Sequence, residues 1–160
     1  MQNELAALGN GAHALAIQIL GNPDDAADAV HDAFAQVLAR PQAWDRTRGP
    51  LRPWFLRVVR NRCIDLLRRR RPTGVPVEGL AADGAGPDAA LETLQRDRRL
   101  ERALAELGPE QRQIIVLRDY SDLSYAEIAA VLGLAPGTVM SRLHRARLAL
   151  RERLERSDDD

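Results

Sequence analysis

Residues 124–143 constrain the fold of this chain more than any other segment. One short amphipathic pattern ends at Gly133, and a second, opened by Pro136 and Gly137, has Thr138 as its predicted cap. Two helices joined by a glycine turn predict a helix-turn-helix, whose second helix normally lies in the major groove of DNA. The alternative is an ordinary helical hairpin with a solvated arginine face.

The rest of the chain also carries helical patterns, and no stretch alternates apolar and polar residues as a strand does. Asn22 and Pro23 have the residue types of an N-cap and a first helical position, so they predict the start of a helix. A long helix is expected from Pro53 to about Arg70. Two more are expected at about 91–107 and 110–119. We therefore predict an all-α fold.

The periodic segments fall into two groups, which predicts two small helical domains. Residues 1–71 form the first domain and residues 91–156 the second. Residues 72–90 are rich in Gly, Pro, Ala and acid and lack periodicity, which is typical of a flexible acidic linker. Residues 157–160 form an acidic tail.

The net charge of zero conceals charge blocks of opposite sign. Residues 1–39 carry −5, residues 40–71 carry +9, residues 72–95 carry −4 and residues 96–156 carry +3, before a tail of −3. Every basic residue is arginine. Sorted charge of this kind indicates that different faces meet different partners.

The second helix of the helix-turn-helix carries the first set of candidate DNA contacts. Ser141, Arg142 and Arg145 are placed to reach base edges, and Thr138 is placed for a phosphate. Arg147 is either a phosphate contact or a surface residue.

The arginine-rich helix 53–70 and the loop before it carry the second set. Trp44 and Trp54 lie beside the basic residues, and single-stranded DNA binds where bases stack on rings while arginines hold phosphates. The loop Ala43–Arg46 is a candidate pocket for an unpaired base. The alternative is that both tryptophans are core residues.

An acidic helix face in the first domain is a candidate protein-docking surface. Asp25, Asp28 and Asp32 recur at helical spacing, and no His, Lys or Tyr is arranged around them for acid–base catalysis. Cys63 is the only cysteine, and the histidines lack metal-ligand spacing with it. We expect no cofactor, no metal and no catalytic residue. Without a signal peptide or a spanning apolar run, we expect a cytoplasmic protein with no membrane contact of its own.

Three ordered blocks resemble the extracytoplasmic-function (ECF) sigma factors of bacteria, in the sigma-70 family. Residues 21–34 (GNPDDAADAVHDAF) resemble region 2.2, residues 52–69 (RPWFLRVVRNRCIDLLRR) resemble regions 2.3 and 2.4, and residues 107–147 resemble region 4. With the linker, the resemblance covers about residues 13–155. It implies a factor that directs core RNA polymerase to promoters in a stress or envelope response.

The resemblance also implies partners and residue roles. The partners are core RNA polymerase, through its clamp helices and flap, promoter DNA and an anti-sigma factor. The acidic helix would dock on the polymerase, the arginine-rich helix and its loop would melt the −10 element, and the helix-turn-helix would read the −35 element. The implied polymerase contacts are Asp25, Asp28, Asp32 and Phe34. The implied −10 contacts are Trp44, Asp45, Arg46, Trp54, Arg57, Asn61 and Arg68. The implied −35 contacts are Thr138, Ser141, Arg142, Arg145 and Arg147.

Two other functions remain open from the residues. An autonomous helix-turn-helix regulator explains residues 110–156 but leaves the acidic and arginine-rich helices without a role, and no dimerisation heptad is visible. An enzyme such as a recombinase needs a nucleophile or a metal-binding carboxylate cluster within residues 1–71.

Overall fold

The structure is a computed structural model that describes Leu5, residues 7–70 and residues 91–159. All regular elements in these residues are helical, and none is a strand. The all-α prediction is therefore confirmed. The predicted acidic linker at 72–90 lies outside the described residues.

Three helices form the first module. They are α1 (Gly9–Leu20), α2 (Pro23–Ala39) and α3 (Leu51–Arg70), with two short 3₁₀ turns at Pro41–Ala43 and Arg46–Arg48 between α2 and α3. The Asn22 carboxamide oxygen accepts hydrogen bonds from the N–H groups of Asp24 and Asp25 at 2.8 and 3.1 Å. This side-chain cap begins α2, as the sequence predicts, whereas Gly21 ends α1 with a left-handed φ of 74°.

Four helices form the second module. They are α4 (Leu91–Ala105), α5 (Pro109–Ile115), α6 (Tyr125–Leu132) and α7 (Pro136–Asp159), and the π-helical segment Val116–Tyr120 continues α5. Helices α6 and α7 form the predicted helix-turn-helix. Ser124 and Glu127 form a reciprocal capping box at the start of α6, and Gly133 ends it with a left-handed φ of 68°.

Several predicted helix boundaries are wrong by a few residues. Helix α3 begins at Leu51, so Pro53 lies within the first turn, where its missing N–H costs nothing. Helix α7 begins at Pro136, so Thr138 lies inside it and is not the cap. The N–H of Thr138 donates to the Ala135 carbonyl at 2.9 Å.

The helical spacing of Ala27, Val30, Phe34 and Val37 predicts a buried apolar stripe on α2, and this prediction is partly wrong. Val30 and Val37 are buried, but Ala27 is exposed and Phe34 is only half-buried. The small residues Ala26, Ala29 and Ala33 take the buried positions, because α1 packs closely against this face. Close helix packing is possible where the side chains between two axes are short. The ring of Phe34 lies 4.8 Å from that of Phe55 on α3.

The two modules pack against each other around one continuous apolar core. Helix α1 contacts α5 and the π-helical segment, and α3 contacts α6. The core runs from Leu15 and Phe55 in the first module to Ile114, Leu117 and Leu143 in the second. A Cβ on Gly11 of α1 would lie 3.1 Å from the Ser121 hydroxyl oxygen, so glycine permits this close approach.

Candidate nucleic-acid interface

One face of helix α7 packs into the core, and predicted base-contacting residues lie on its exposed side. Val139, Leu143 and Ala146 are buried, whereas Ser141 and Arg145 are exposed. The helical spacing of the apolar residues produces this division. Thr138 is half-buried, and its carbonyl accepts a hydrogen bond from the Ser141 hydroxyl at 3.1 Å. Met140 is also exposed on this helix, at 61%.

Two of the predicted DNA-binding arginines are paired with carboxylates of the second module. Arg142 lies 3.4 Å from Glu110. Arg147 forms a two-point pair with Asp119, with its Nε at 3.2 Å, and this hydrogen bonding raises the pKa of Arg147. Arg145 has no ion pair within residues 7–70 and 91–159. Of the three guanidinium groups, that of Arg145 is therefore the most available to a partner.

The loop between α2 and α3 is held by its own side chains. The Asp45 carboxylate accepts from the N–H and hydroxyl of Thr47 at 2.9 and 2.6 Å, and these bonds lower the pKa of Asp45. The Trp44 indole N–H donates to the Gly49 carbonyl at 3.4 Å, and the Arg46 guanidinium lies over the Trp44 ring at 5.1 Å. The loop therefore presents a half-buried ring with a cation on one face.

Two clefts are lined by predicted −10 residues. One lies along α2 and α3 and brings Trp54, Asn61 and Arg62 together. The other brings Trp44 and Asp45 together with Trp54 and Arg57, and α6 forms its far wall. Trp54 is half-buried and lines both clefts, so it is partly a core residue and partly accessible. Arg68 is exposed in the last turn of α3 and lines neither cleft.

The acidic face of α2 is already partly neutralised by α3. Asp25 lies 2.8 Å from Arg70, and Asp32 lies 3.2 Å from Arg62. Asp28 is exposed and makes no ion pair in the described part of the chain. Of the predicted docking carboxylates, Asp28 is therefore the one whose charge is fully available to a partner.

The sequence analysis missed two arginines in these surfaces. Arg62 lines the cleft with Asn61, and Arg60 lies on the opposite side of α3 at the contact with the second module. Burial lowers the pKa of Arg60. The sequence places both arginines in the basic block of residues 40–71. It does not show on which face of α3 each one lies, because that depends on the helices that α3 packs against.

Three further observations concern the reactivity of the cysteine, metal binding and membrane-spanning helices. Cys63 is buried, and desolvation raises its pKa to about 12. Among the described side chains, no group of three His, Cys, Asp or Glu residues comes together to hold a metal ion. None of the helices described is both long and apolar enough to cross a membrane.

Comparison with known proteins places both modules in one family. The sigma-70 region 2 family model matches residues 6–73, and the sigma-70 region 4 model matches residues 97–150. SigW of Bacillus subtilis, an ECF RNA polymerase sigma factor, is 31% identical over 88% of this chain and 81% of its own length. The chain belongs to the ECF sigma factors. A match to region 2 as well as region 4 does not favour an autonomous helix-turn-helix regulator.

Other ECF sigma factors agree with this assignment. SigF of Caulobacter vibrioides is 35% identical over 86% of this chain and 75% of its own length. SigE of Mycolicibacterium smegmatis is 34% identical over 91% of this chain, which spans 58% of the length of SigE. Sigma factors as a class are transcription initiation factors and not enzymes.

Two solved sigma-factor structures share the fold. The sigma factor RpoE, in complex with the anti-sigma factor NepR from Bartonella quintana, has a TM-score of 0.80 and 29% identity, covering 96% of both chains. CnrH in complex with the cytosolic domain of CnrY has a TM-score of 0.67 and 28% identity, covering 96% of this chain and 86% of CnrH.

Proposed function

We propose that this ECF sigma factor brings core RNA polymerase to a specific set of promoters and helps to open them. The observation that carries the proposal is the occurrence, in one chain, of three surfaces. They are an acidic helix with a carboxylate that makes no ion pair in the described residues, an arginine-rich helix with Trp54 in it and Trp44 in the loop before it, and a helix-turn-helix. Each surface suits a different partner. Residues 1–71 act as the polymerase-docking and −10 module, and residues 91–156 act as the −35 module.

The −35 role is assigned to Thr138, Ser141, Arg142, Arg145 and Arg147. An arginine fork reads guanine in the major groove, and each good bidentate contact discriminates by about 1–3 kcal/mol. Arg145 is free to make such a contact at once. Arg142 and Arg147 exchange exposed carboxylate partners for DNA, which costs little because exposed ion pairs contribute only about 0–1 kcal/mol.

The −10 role is assigned to Trp44, Asp45, Arg46, Trp54, Arg57, Asn61 and Arg68. Flipping a base costs a few kcal/mol, and stacking on an aromatic ring returns about 1–3 kcal/mol per base. The two energies are similar, so this chain alone does not hold a promoter open. Melting therefore requires the polymerase, and no bond of the nucleic acid is made or broken by the sigma factor.

Asp25, Asp28, Asp32 and Phe34 are assigned to core polymerase, on its clamp helices, and the second module to its flap. An anti-sigma factor is the third expected partner, since the structural relatives RpoE and CnrH are in complexes with NepR and CnrY. We infer from these partners that the protein acts in the cytoplasm, where polymerase and chromosome are.

Run-off transcription with core polymerase on genomic fragments tests the assignment of the helix-turn-helix. We expect Arg142→Ala plus Arg145→Ala to abolish recognition of the upstream element while core binding is retained, because these side chains face DNA and not the enzyme. Arg151→Ala, on the same helix and paired with exposed Glu155, is the matched control. Equal loss of core binding and promoter selection would contradict the division of roles.

A pull-down with core polymerase tests the docking face. Asp28→Arg reverses the charge of the carboxylate that makes no ion pair among the described side chains, so we expect core affinity to fall about tenfold or more, the scale of a lost close charge pair. Glu152→Arg, an exposed charge reversal on α7, is the control. Unchanged affinity for Asp28→Arg would remove the docking role from this face.

A further inference from the structure

A small cavity between α3, α5 and α7 is rich in arginine. Its volume is about 260 Å³, and its lining contains four charged side chains, Arg60, Glu110, Arg142 and Arg145. Arginine stays protonated in proteins, so the described lining carries two more positive than negative charges. Like charges that share one cavity repel one another, and an anion placed among them removes that repulsion. The cavity therefore has the charge of an anion-binding site.

Arg60 is the half-buried cation of this cavity. Its Nε donates to the side-chain oxygen of buried Gln113 at 2.7 Å, which uses one of the five guanidinium N–H donors. Gln113 is neutral, and no carboxylate of residues 7–70 and 91–159 lies within ion-pair distance of Arg60. Burial lowers the pKa of Arg60, because desolvation disfavours its charged form. An anion in the cavity supplies a counter-charge while Gln113 orients the guanidinium group.

The other two arginines of the cavity belong to α7 and differ in their pairing. Arg145 is exposed and makes no ion pair among the described side chains. Arg142 lies 3.4 Å from the Glu110 carboxylate, in an exposed pair of the kind that exchanges readily for another acceptor. A phosphate group accepts the parallel N–H groups of a guanidinium as a two-point pair. Both arginines are therefore available to an oxyanion that also reaches Arg60.

Most of the remaining lining is apolar. It consists of buried Ile114 on α5 and of half-buried Leu132 and Leu134 beside the turn of the helix-turn-helix. The half-buried carboxamide of Gln111 adds a neutral hydrogen-bond donor. Apolar walls with a few convergent polar groups are typical of small-molecule sites. The cavity can therefore hold an organic body that is attached to the phosphate.

The size of the cavity selects a small ligand. Pockets that enclose drug-sized molecules measure about 300–1,000 Å³, and this cavity of about 260 Å³ lies just below that range. A DNA duplex, whose major groove alone is about 12 Å wide and 8.5 Å deep, is far too large to enter it. The ligand that fits is a free molecule and not the promoter.

We propose that this cavity binds a small anion through a phosphate or diphosphate group, which the three arginines hold against the apolar lining. The site is complete only when α3 and α7 lie together, because α3 supplies Arg60 and α7 supplies Arg142 and Arg145. The ligand occupies two arginines assigned to the −35 element, so it competes with promoter DNA. That competition rests on the proposed function, whereas the binding site itself does not.

Isothermal titration calorimetry of the full chain with pyrophosphate, ADP and adenosine tests the class of ligand. We expect pyrophosphate and ADP to bind at one site and adenosine to remain unbound, because adenosine has no phosphate. Tighter binding of ADP would identify a phosphorylated organic molecule as the ligand, and binding of pyrophosphate alone would identify an inorganic one. Equal binding of adenosine and ADP, or no binding of either phosphate compound, would overturn the inference.

Two carboxylate variants test where the anion binds. Glu110→Gln removes a negative charge from the cavity, and Glu152→Gln removes an exposed one from α7 outside it, so both raise the net charge equally. We expect Glu110→Gln to bind pyrophosphate about tenfold more tightly than the wild type, because Arg142 loses its competing partner. Glu152→Gln should bind as the wild type does. Equal affinities of the two variants would show that net charge alone controls binding.

Two arginine variants give the opposite test. Arg145→Gln removes a cavity side chain that makes no ion pair among the described residues, whereas Arg151→Gln removes one that pairs with exposed Glu155. We expect Arg145→Gln to weaken pyrophosphate binding about tenfold or more, the scale of one lost charged hydrogen bond, and Arg151→Gln to change it little. Far-UV circular dichroism checks that each variant keeps its helices. Equal weakening by the two variants would exclude the cavity as the site.

Competition for DNA tests the consequence for promoter recognition. We expect pyrophosphate to release a fluorescent duplex from the protein more effectively than sodium chloride of the same ionic strength, because it occupies Arg142 and Arg145. Unchanged duplex binding at saturating pyrophosphate would overturn the competition. A chain that binds pyrophosphate in the calorimeter but supports no transcription with core polymerase would count against the proposed function and leave the anion site in place.

Discussion

Several side chains that are assigned to partner contacts already form ion pairs within this sigma factor. Arg142 and Arg147 pair with Glu110 and Asp119, and Asp25 and Asp32 pair with Arg70 and Arg62. These pairs are exposed or partly exposed, so each contributes little to stability and exchanges readily for a phosphate or an opposite charge.

Cys63 shows how burial controls chemistry at the residue scale. Its side chain is fully buried on α3, and desolvation raises its pKa to about 12, so the reactive thiolate is disfavoured at neutral pH.

We therefore expect iodoacetamide at pH 8 to leave Cys63 unmodified in the native protein and to alkylate it in urea. Mass spectrometry of the intact chain measures the fraction modified with time. The pKa is raised by folding, so reactivity should appear on unfolding and not on a small rise in pH. Native alkylation at the rate of the denatured chain would contradict this assignment.

The helices themselves follow signals that can be read locally. Asn22 and Pro23 begin α2, Ser124 and Glu127 form the capping box of α6, and Gly133 ends α6 in the left-handed conformation. The errors occur where a boundary depends on packing. Leu51 is buried, so α3 begins two residues before the proline that the sequence marks as its start. No local sequence pattern predicts the π-helical segment Val116–Tyr120.

Two glycines in the helix-turn-helix test how much the left-handed turn after α6 contributes to stability. Gly133 has a φ of 68°, where an L-residue costs about 1–2 kcal/mol, so we expect Gly133→Ala to lower the free energy of unfolding by about that amount. Gly137 lies in the first turn of α7 with open space around its Cβ position, so Gly137→Ala should be neutral or stabilising. Urea denaturation compares them. Equal effects would mean that the left-handed turn does not determine the cost.

The whole molecule behaves as one unit because its two modules share a core. The core contains Leu15 and Phe55 from the first module and Leu143 from the second. Local signals predict the two modules separately, and a linker between them suggests that they are independent. The shared core instead predicts coupled unfolding.

Leu143→Ala tests the coupling. Leu143 is 1% exposed, and truncation of a buried leucine costs about 2–5 kcal/mol. Both tryptophans, Trp44 and Trp54, lie in the first module, so their fluorescence reports on that module and on its contact with α6. We expect Leu143→Ala to shift the urea midpoint of tryptophan fluorescence as much as that of circular dichroism. An unchanged fluorescence midpoint would show that the modules unfold independently.

The sequence alone determined the all-α class, the helix-turn-helix, the acidic helix and the arginine-rich helix, because caps, turns and apolar periodicity act over a few residues. It also identified most of the charged and aromatic side chains at the candidate surfaces. Only the tertiary structure decided which face of α3 meets the second module, and that Arg60 bonds to Gln113. Such pairings join residues far apart in the chain, and no local pattern encodes the orientation of one module against another. The arrangement of the two modules is therefore decided by contacts between residues distant in sequence.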